Sequence, residues 1–333
     1  MKLLKSRAFK VLLSLLLAVG LCLLVLRQVN PADVGRRIAA ASPAWLLFSA
    51  VFSLLAYGIR AWRWIWILKP VGPVGLGQAF YATAVGFAGN FLPARAGEII
   101  RPAVLSRDTR LPFSALLASI LFERLLDAAS VFFFLGLAFL DPPWRGIAGS
   151  GPPVAVGVVP LAVLGAIVAL SYLAVFRRRT LEGMADRLLL VAPSRWRVPA
   201  KAAFSAFLDG LSLVRDLTGR QWVGAVGTSL LMWFVIQLQI ACVVKAFGIG
   251  LPLSASYVLT FAAVLGLAVP TPAGIGGYHA AVTGALVQFG VPEDTALGAA
   301  TLAHAVSFGP IALIALVLLF ARSLRAPASP EAR

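Results

Sequence analysis

Charge is the first scarcity. Only 13% of the 333 residues are Asp, Glu, Lys or Arg, against about 25% in a soluble domain. With 60% hydrophobic residues and a mean hydropathy of +0.91, this excludes an ordinary soluble fold. Cysteine is reduced to Cys22 and Cys242, both inside apolar runs, so neither a disulfide framework nor metal-ligand spacing is expected. Histidine is reduced to His279 and His304, and two isolated imidazoles do not make a metal site. Also missing are a Gly-x-x-x-x-Gly-Lys phosphate loop, a His-Glu-x-x-His pair, a dinucleotide fingerprint and a nucleophile elbow. These absences predict no metal, no cofactor and no enzyme, and no pump driven by its own ATPase.

What is present is apolar length. Several windows run 18 or more residues almost without charge, enough to cross a hydrocarbon core about 30 Å thick. The net charge of +16 is clustered between these windows. The positive-inside rule explains that placement, with attraction to anionic head groups as a second effect. No nucleic acid partner is expected, because no soluble basic fold is there to present one. Arginine outnumbers lysine 23 to 6, a compositional sign of a GC-rich bacterial genome and hence of a bacterial inner membrane.

Taken in order, residues 1–10 carry Lys2, Lys5, Arg7 and Lys10 ahead of an apolar run at 11–26. Arg27-Gln28-Val29-Asn30-Pro31 offers no small-residue cleavage site, so this reads as an uncleaved anchor with a cytoplasmic N-terminus. A span at 43–68 ends in Arg60-Ala61-Trp62-Arg63-Trp64-Ile65-Trp66, expected to be an interfacial belt of indoles and snorkelling arginines. An interrupted hairpin at 76–105 follows, then a span at 112–140 that carries Glu123, Arg124 and Asp127. An outside loop at 141–153 leads to a span at 154–176. Residues 177–220 hold nine basic and four acidic side chains and read as a cytoplasmic loop whose amphipathic segments lie on the membrane. A span at 221–247, a second interrupted hairpin at 252–291, a span at 292–321 and a short tail at 322–333 complete the chain. The expectation is one all-α polytopic membrane domain over residues 1–333. It has six full transmembrane helices, two broken or re-entrant hairpins and both termini cytoplasmic.

Blocks 43–140 and 221–321 have the same order of span, hairpin and span. The first starts outside and the second inside, which predicts an inverted repeat. Asn90 and Pro270 fall at nearly the same depth within their blocks. Paired broken segments in two halves point to a transporter binding site.

Asn90-Phe91-Leu92-Pro93-Ala94-Arg95-Ala96-Gly97-Glu98-Ile99-Ile100-Arg101 concentrates polar groups where they are costly. Pro93 removes a backbone donor and suits a first helical position. A half-helix over 93–104 would then turn its positive end inward, where an anion binds. Arg95, Glu98 and Arg101 share one face of that helix, and Glu123 and Asp127 share a face of the next span beside Arg124. Three arginines and three carboxylates give an internally neutral network that a lipid head group can enter. The alternative is that Arg95 and Arg101 snorkel, with Glu98 as counter-ion. In the second break, Thr271 reads as an N-cap before Pro272. Gly274, Gly276 and Gly277 form either a phosphate nest or a close-packing surface. His279 either hydrogen-bonds substrate or packs.

Asn90-x-x-Pro93-x-Arg95-x-Gly97-Glu98-x-x-Arg101, Glu123-Arg124-x-x-Asp127 and Pro270-x-Pro272-x-Gly274-x-Gly276 resemble the lysylphosphatidylglycerol synthase transmembrane region, also called the flippase-like domain family. The resemblance implies translocation of a lipid between leaflets, with an anionic phospholipid or polyprenyl-linked lipid as partner. The large aminoacyl transferase domain of that family is not expected in a chain that reaches Arg333 soon after its last span. Tyr278-His279 stands where the family commonly has an acidic residue. Two other functions stay open. One is a non-transporting subunit that supports a lipid-modifying enzyme or glycosyltransferase. The other is an intramembrane enzyme acting on a polyprenyl-phosphate lipid through Glu98, Glu123 or Asp127.

Overall fold

The computed structural model describes residues 31–91, 96–139, 177–189, 215–269 and 271–325, with scattered positions between 162 and 208. The expected anchor at 11–26, the loop at 141–153, most of the span at 154–176, the segments at 92–95 and 190–196, and Pro270 lie outside the described residues. Among the described residues the elements are helical and no strand occurs. In chain order they are α1 (Pro31–Ala40), α2 (Pro43–Leu68), α3 (Leu76–Gly89), α4 (Gly97–Thr109), α5 (Phe113–Ala138), α6 (Arg178–Leu189), α7 (Gly219–Ala246), α8 (Leu253–Ala268), a 3-10 turn (Pro272–Gly274), α9 (Gly277–Gln288) and α10 (Glu293–Arg325).

Three helices are long and apolar enough to cross a membrane: α2, α7 and α10 over Glu293–Arg322. Helix α5 matches α2 in length at 26 residues, but Glu123, Arg124 and Asp127 lie within it. The protein is a multi-pass membrane protein. Helix α2 opens with Pro43 at its first turn, where the missing N–H costs nothing. Helix α7 opens with a reciprocal cap: the Thr218 amide donates to Gln221 Oε1 at 2.8 Å, and the Gln221 amide to Thr218 Oγ1 at 3.4 Å.

Between the long helices sit two hairpins, α3–α4 and α8–α9. Their legs are 14, 13, 16 and 12 residues long. At 1.5 Å per residue these are only about 18–24 Å, short of a 30 Å hydrocarbon core. Three contacts between ends fix where each hairpin opens. The Ser42 amide donates to the Ala246 carbonyl at 2.8 Å, placing the start of α2 beside the end of α7. Arg37 bonds Asp294 at 2.8 Å, placing α1 beside the start of α10. Arg322 bonds Asp108 at 2.7 Å, placing the end of α10 beside the end of α4. So α3–α4 opens where α2 and α10 finish, and α8–α9 opens where they begin.

Each hairpin closes at a pair of glycines eleven residues apart, 86 with 97 and 266 with 277. A Cβ on Gly97 would stand 1.9 Å from the Gly86 carbonyl oxygen, and one on Gly266 would stand 2.4 Å from that of Gly277. No side chain fits at either crossing, and the legs pack backbone to backbone. Each hairpin is also anchored in its own apolar cluster. Trp64, Leu68, Ala79, Leu105 and Leu116 hold the first, and Ile240, Leu259, Tyr278, Leu286 and Ala300 hold the second.

The helix after the first break runs from Gly97, where the glycine crossing lets the leg meet α3, and the expected start at Pro93 lies outside the described residues. After the second break, only a 3-10 turn follows Thr271, and α9 waits until Gly277. Ala273, Gly274 and Gly276 have φ of 52°, 73° and 87°, left-handed values that interrupt a right-handed helix. In helix α6, Leu181 is buried with Ile67, Phe122 and Ala225, while Met184 is exposed.

Candidate functional site

The two breaks meet inside the bundle, where the Ala273 amide donates to the Asn90 carbonyl at 3.3 Å. Beside that contact lies a cavity of about 440 Å³, within the size range of sites for small ligands. Its wall takes Asn90 from the first break and Thr271, Ala273 and Gly274 from the second. Helices α4 and α5 add Glu98, Arg124 and Asp127; α2 adds Ser53, Tyr57 and Arg60; and α7, α8 and α10 add Trp233, Gln239, Thr260 and Ser307. Most of the remaining wall is apolar.

One pole of this cavity is ionic. Asp127 accepts from Arg63 at 2.6 Å, from Arg60 and Arg124 at 3.3 Å each, and from the Trp233 indole at 3.0 Å. Arg101 grips Glu123 with both terminal nitrogens, one of them at 3.3 Å, while Arg63 Nε reaches the same carboxylate at 3.6 Å. Arg101 also lies over the Trp64 ring, 3.8 Å from its centroid, a favourable place for a desolvated cation. Arg124 completes the set with Glu98 at 3.5 Å. These groups differ in burial. Arg63 and Glu123 are fully enclosed, whereas the Arg124 and Glu98 side chains are 42% and 36% exposed.

Arg60 and Arg63 overturn the expected interfacial belt. Neither snorkels: both are buried, because Asp127 and Glu123 on α5 offer partners that head-group water would otherwise supply. Of the belt, Trp62 is exposed, while Trp64 is enclosed and donates to Ser119 Oγ at 2.7 Å. The signal available in the sequence was the i, i+3 spacing of Arg60 and Arg63, facing the i, i+4 pair of Glu123 and Asp127. The expected balance of three arginines and three carboxylates is also replaced. Among the described residues, four guanidiniums meet three carboxylates, and Arg95 lies outside the described residues.

The other sequence-derived residues separate into wall and support. Asn90, Glu98, Arg124, Asp127, Thr271 and Gly274 line the cavity, whereas Arg101 and Glu123 stand behind it. Thr271 is buried and its hydroxyl finds no hydrogen-bond partner among the described residues, nor does Asn90 Oδ1. Thr271 therefore does not cap a helix with its side chain. Gly277 belongs to the hairpin crossing, which assigns it to packing, and Gly274 and Gly276 supply the left-handed turn. His279 does not line the cavity. It accepts the Gly276 amide at Nδ1, 3.4 Å away, at the start of α9. The imidazole that acts at the break is His304, whose Nε2 donates to the Ala273 carbonyl at 2.9 Å. Tyr57 and Ser53 donate to the Ser307 carbonyl at 3.0 and 3.3 Å, and the Gln239 amide donates to Ser307 Oγ at 2.8 Å. These bonds make the second pole of the cavity neutral but polar.

Comparison with known proteins identifies the family of the chain. The family model of the lysylphosphatidylglycerol synthase transmembrane region matches residues 11–315, and the chain belongs to that family. The chain is also similar to a glycosyltransferase, AglD, of Haloferax volcanii, with 26% identity over 337 residues and 90% of this chain covered. It spans about half of that relative, 52% of its length.

Proposed function

We propose that this protein moves a lipid or lipid-linked amphiphile with an anionic head group between the leaflets of a bacterial inner membrane. The head group occupies the cavity where the two breaks meet, within reach of Arg60 and Arg124. The observation that carries the reading is the charge balance of the ionic pole. Each of the four guanidiniums touches a carboxylate, but four against three leave the network one positive charge in excess among the described residues. Excess charge beside a largely apolar cavity is costly, so a singly anionic phosphate restores neutrality on binding. Arg124 is the group best placed to receive it. It is half-exposed, and its contacts to Glu98 and Asp127 are long, at 3.5 and 3.3 Å.

On this reading the two hairpins are re-entrant elements of an inverted repeat, with both termini cytoplasmic. Three features support it: legs shorter than the bilayer, openings at opposite ends of the bundle, and matched glycine pairs. The cavity then lies midway, where alternating access to either leaflet requires a site. Catalysis is not part of the proposal, because Glu98, Glu123 and Asp127 are each held by a guanidinium. The test is reconstitution into liposomes that carry fluorescent phosphatidylglycerol or polyprenyl phosphate, with an impermeant quencher added outside. Loss of the inner-leaflet signal faster than in protein-free vesicles supports the reading. Rates no faster than in protein-free vesicles for either lipid, with folded protein in the vesicles, oppose it.

The similarity to the Haloferax glycosyltransferase favours a second reading. In it the chain holds a lipid-linked substrate for a separate lipid-modifying enzyme or glycosyltransferase and does not itself translocate. The same cavity would bind lipid, but vesicles containing the chain alone would show binding without transfer between leaflets.

A further inference from the structure

A second concavity, of about 390 Å³, lies between α2, α7 and the first turn of α8 and shares no residue with the central cavity. Two of its walls are graded in the same direction. On α2 it runs from Trp45 to Phe52, and on α7 from Lys245 back to Leu238. Each wall covers eight residues, seven steps or about 10 Å along a helix axis. The starts of α2 and the end of α7 are adjacent, since Ser42 bonds the Ala246 carbonyl. Trp45 and Lys245 therefore lie at the rim and Phe52 and Leu238 below them.

The rim is a cation beside an indole. Lys245 Nζ lies 4.9 Å from the Trp45 ring centroid, is exposed, and meets no carboxylate among the described residues. Every outer face of a membrane protein is covered by lipid. This face adds a concave apolar slot with an unneutralised ammonium at its mouth, and tryptophan and lysine are the residues that anchor to head groups. We infer that the groove is a separate binding site for one anionic phospholipid from the leaflet at that end. The phosphate sits on Lys245 against Trp45, and one acyl chain descends between Phe52 and Leu238. The third wall is the base of the α8–α9 hairpin. A bound lipid there braces the hairpin against α2 and α7, one helix length from the break that lines the central cavity.

The experiment reads Trp45 emission in phosphatidylcholine vesicles doped with phosphatidylglycerol or phosphatidylcholine brominated in the upper acyl chain. The signal is the difference between wild type and Trp45→Phe, which removes the other indoles and any lipid in the central cavity. Brominated phosphatidylglycerol is expected to half-quench this difference at about fivefold lower mole fraction than brominated phosphatidylcholine, the ratio that one basic residue contributes near an anionic head group. Lys245→Ala is expected to abolish the preference and Lys245→Arg to retain it. Equal quenching by the two lipids in the wild type means an ordinary lipid coat and overturns the inference, as does a preference that survives Lys245→Ala. Transport in vesicles is a separate readout, so failure here leaves the central cavity untouched.

Discussion

Replacing Asp127 by Asn keeps the shape of the side chain and removes the charge on which most of the ionic pole converges. The carboxylate accepts from three guanidiniums and one indole at 2.6 to 3.3 Å. The amide can still receive Trp233, but it cannot neutralise Arg60 or Arg63, both of which are buried. Two carboxylates would then face four guanidiniums. Breaking a buried pair by removing one partner costs about 3–5 kcal/mol, whereas an exposed pair is worth about 0–1 kcal/mol. Asp127→Asn is therefore expected to unfold several degrees earlier in detergent, with reduced yield. Glu98→Gln, at the half-exposed edge of the same network, is expected to melt close to wild type. Fluorescence-detected thermal unfolding of both variants beside wild type measures the contrast. Equal melting of Asp127→Asn and wild type would refute the network as a stabilising unit.

Gly97→Ala places a methyl 1.9 Å from the Gly86 carbonyl oxygen, an overlap that forces the hairpin legs apart and costs at least the roughly 1–3 kcal/mol of an overpacked core. Gly227→Ala, with open space around its Cβ position, is expected to be neutral in the same melt. Tyr57→Phe removes the 3.0 Å bond to the Ser307 carbonyl and is expected to lower stability by about 1 kcal/mol. His304→Ala releases the Ala273 carbonyl; faster hydrogen exchange of the Ala273 amide, which bonds Asn90, is the expected readout.

Much of the architecture was legible because membrane burial constrains sequence strongly. The spans at 43–68, 221–247 and 292–321 correspond to α2, α7 and α10, the segment at 112–140 is the helix α5, and both interruptions fall between short helices. The union of Glu98, Arg101, Glu123, Arg124 and Asp127 was legible too, since charges in an apolar chain must find one another. Arg60 and Arg63 were not. Beside three tryptophans they carry the composition of a head-group belt, and only the packing of α2 on α5 turns them inward. With Arg95 as a third cation beside Arg101 and Arg124, the charges near the first break balance in the sequence without them. His279 and His304 are equally isolated in sequence. Their different roles depend on which one the 273–276 turn approaches, and left-handed residues such as Ala273 leave no pattern that a helical period would reveal.

The central claim is that a head group is held on the ionic pole while the lipid crosses. Arg124→Ala tests it most directly. The side chain is half-exposed, and its loss leaves three guanidiniums against three carboxylates, so the bundle is expected to keep its melting temperature. A charged hydrogen bond to phosphate contributes about 1.5–3 kcal/mol, so transfer of the anionic lipid between leaflets is expected to slow roughly tenfold or more. Transfer at the wild-type rate, by Arg124→Ala reconstituted at the same density, would contradict the account.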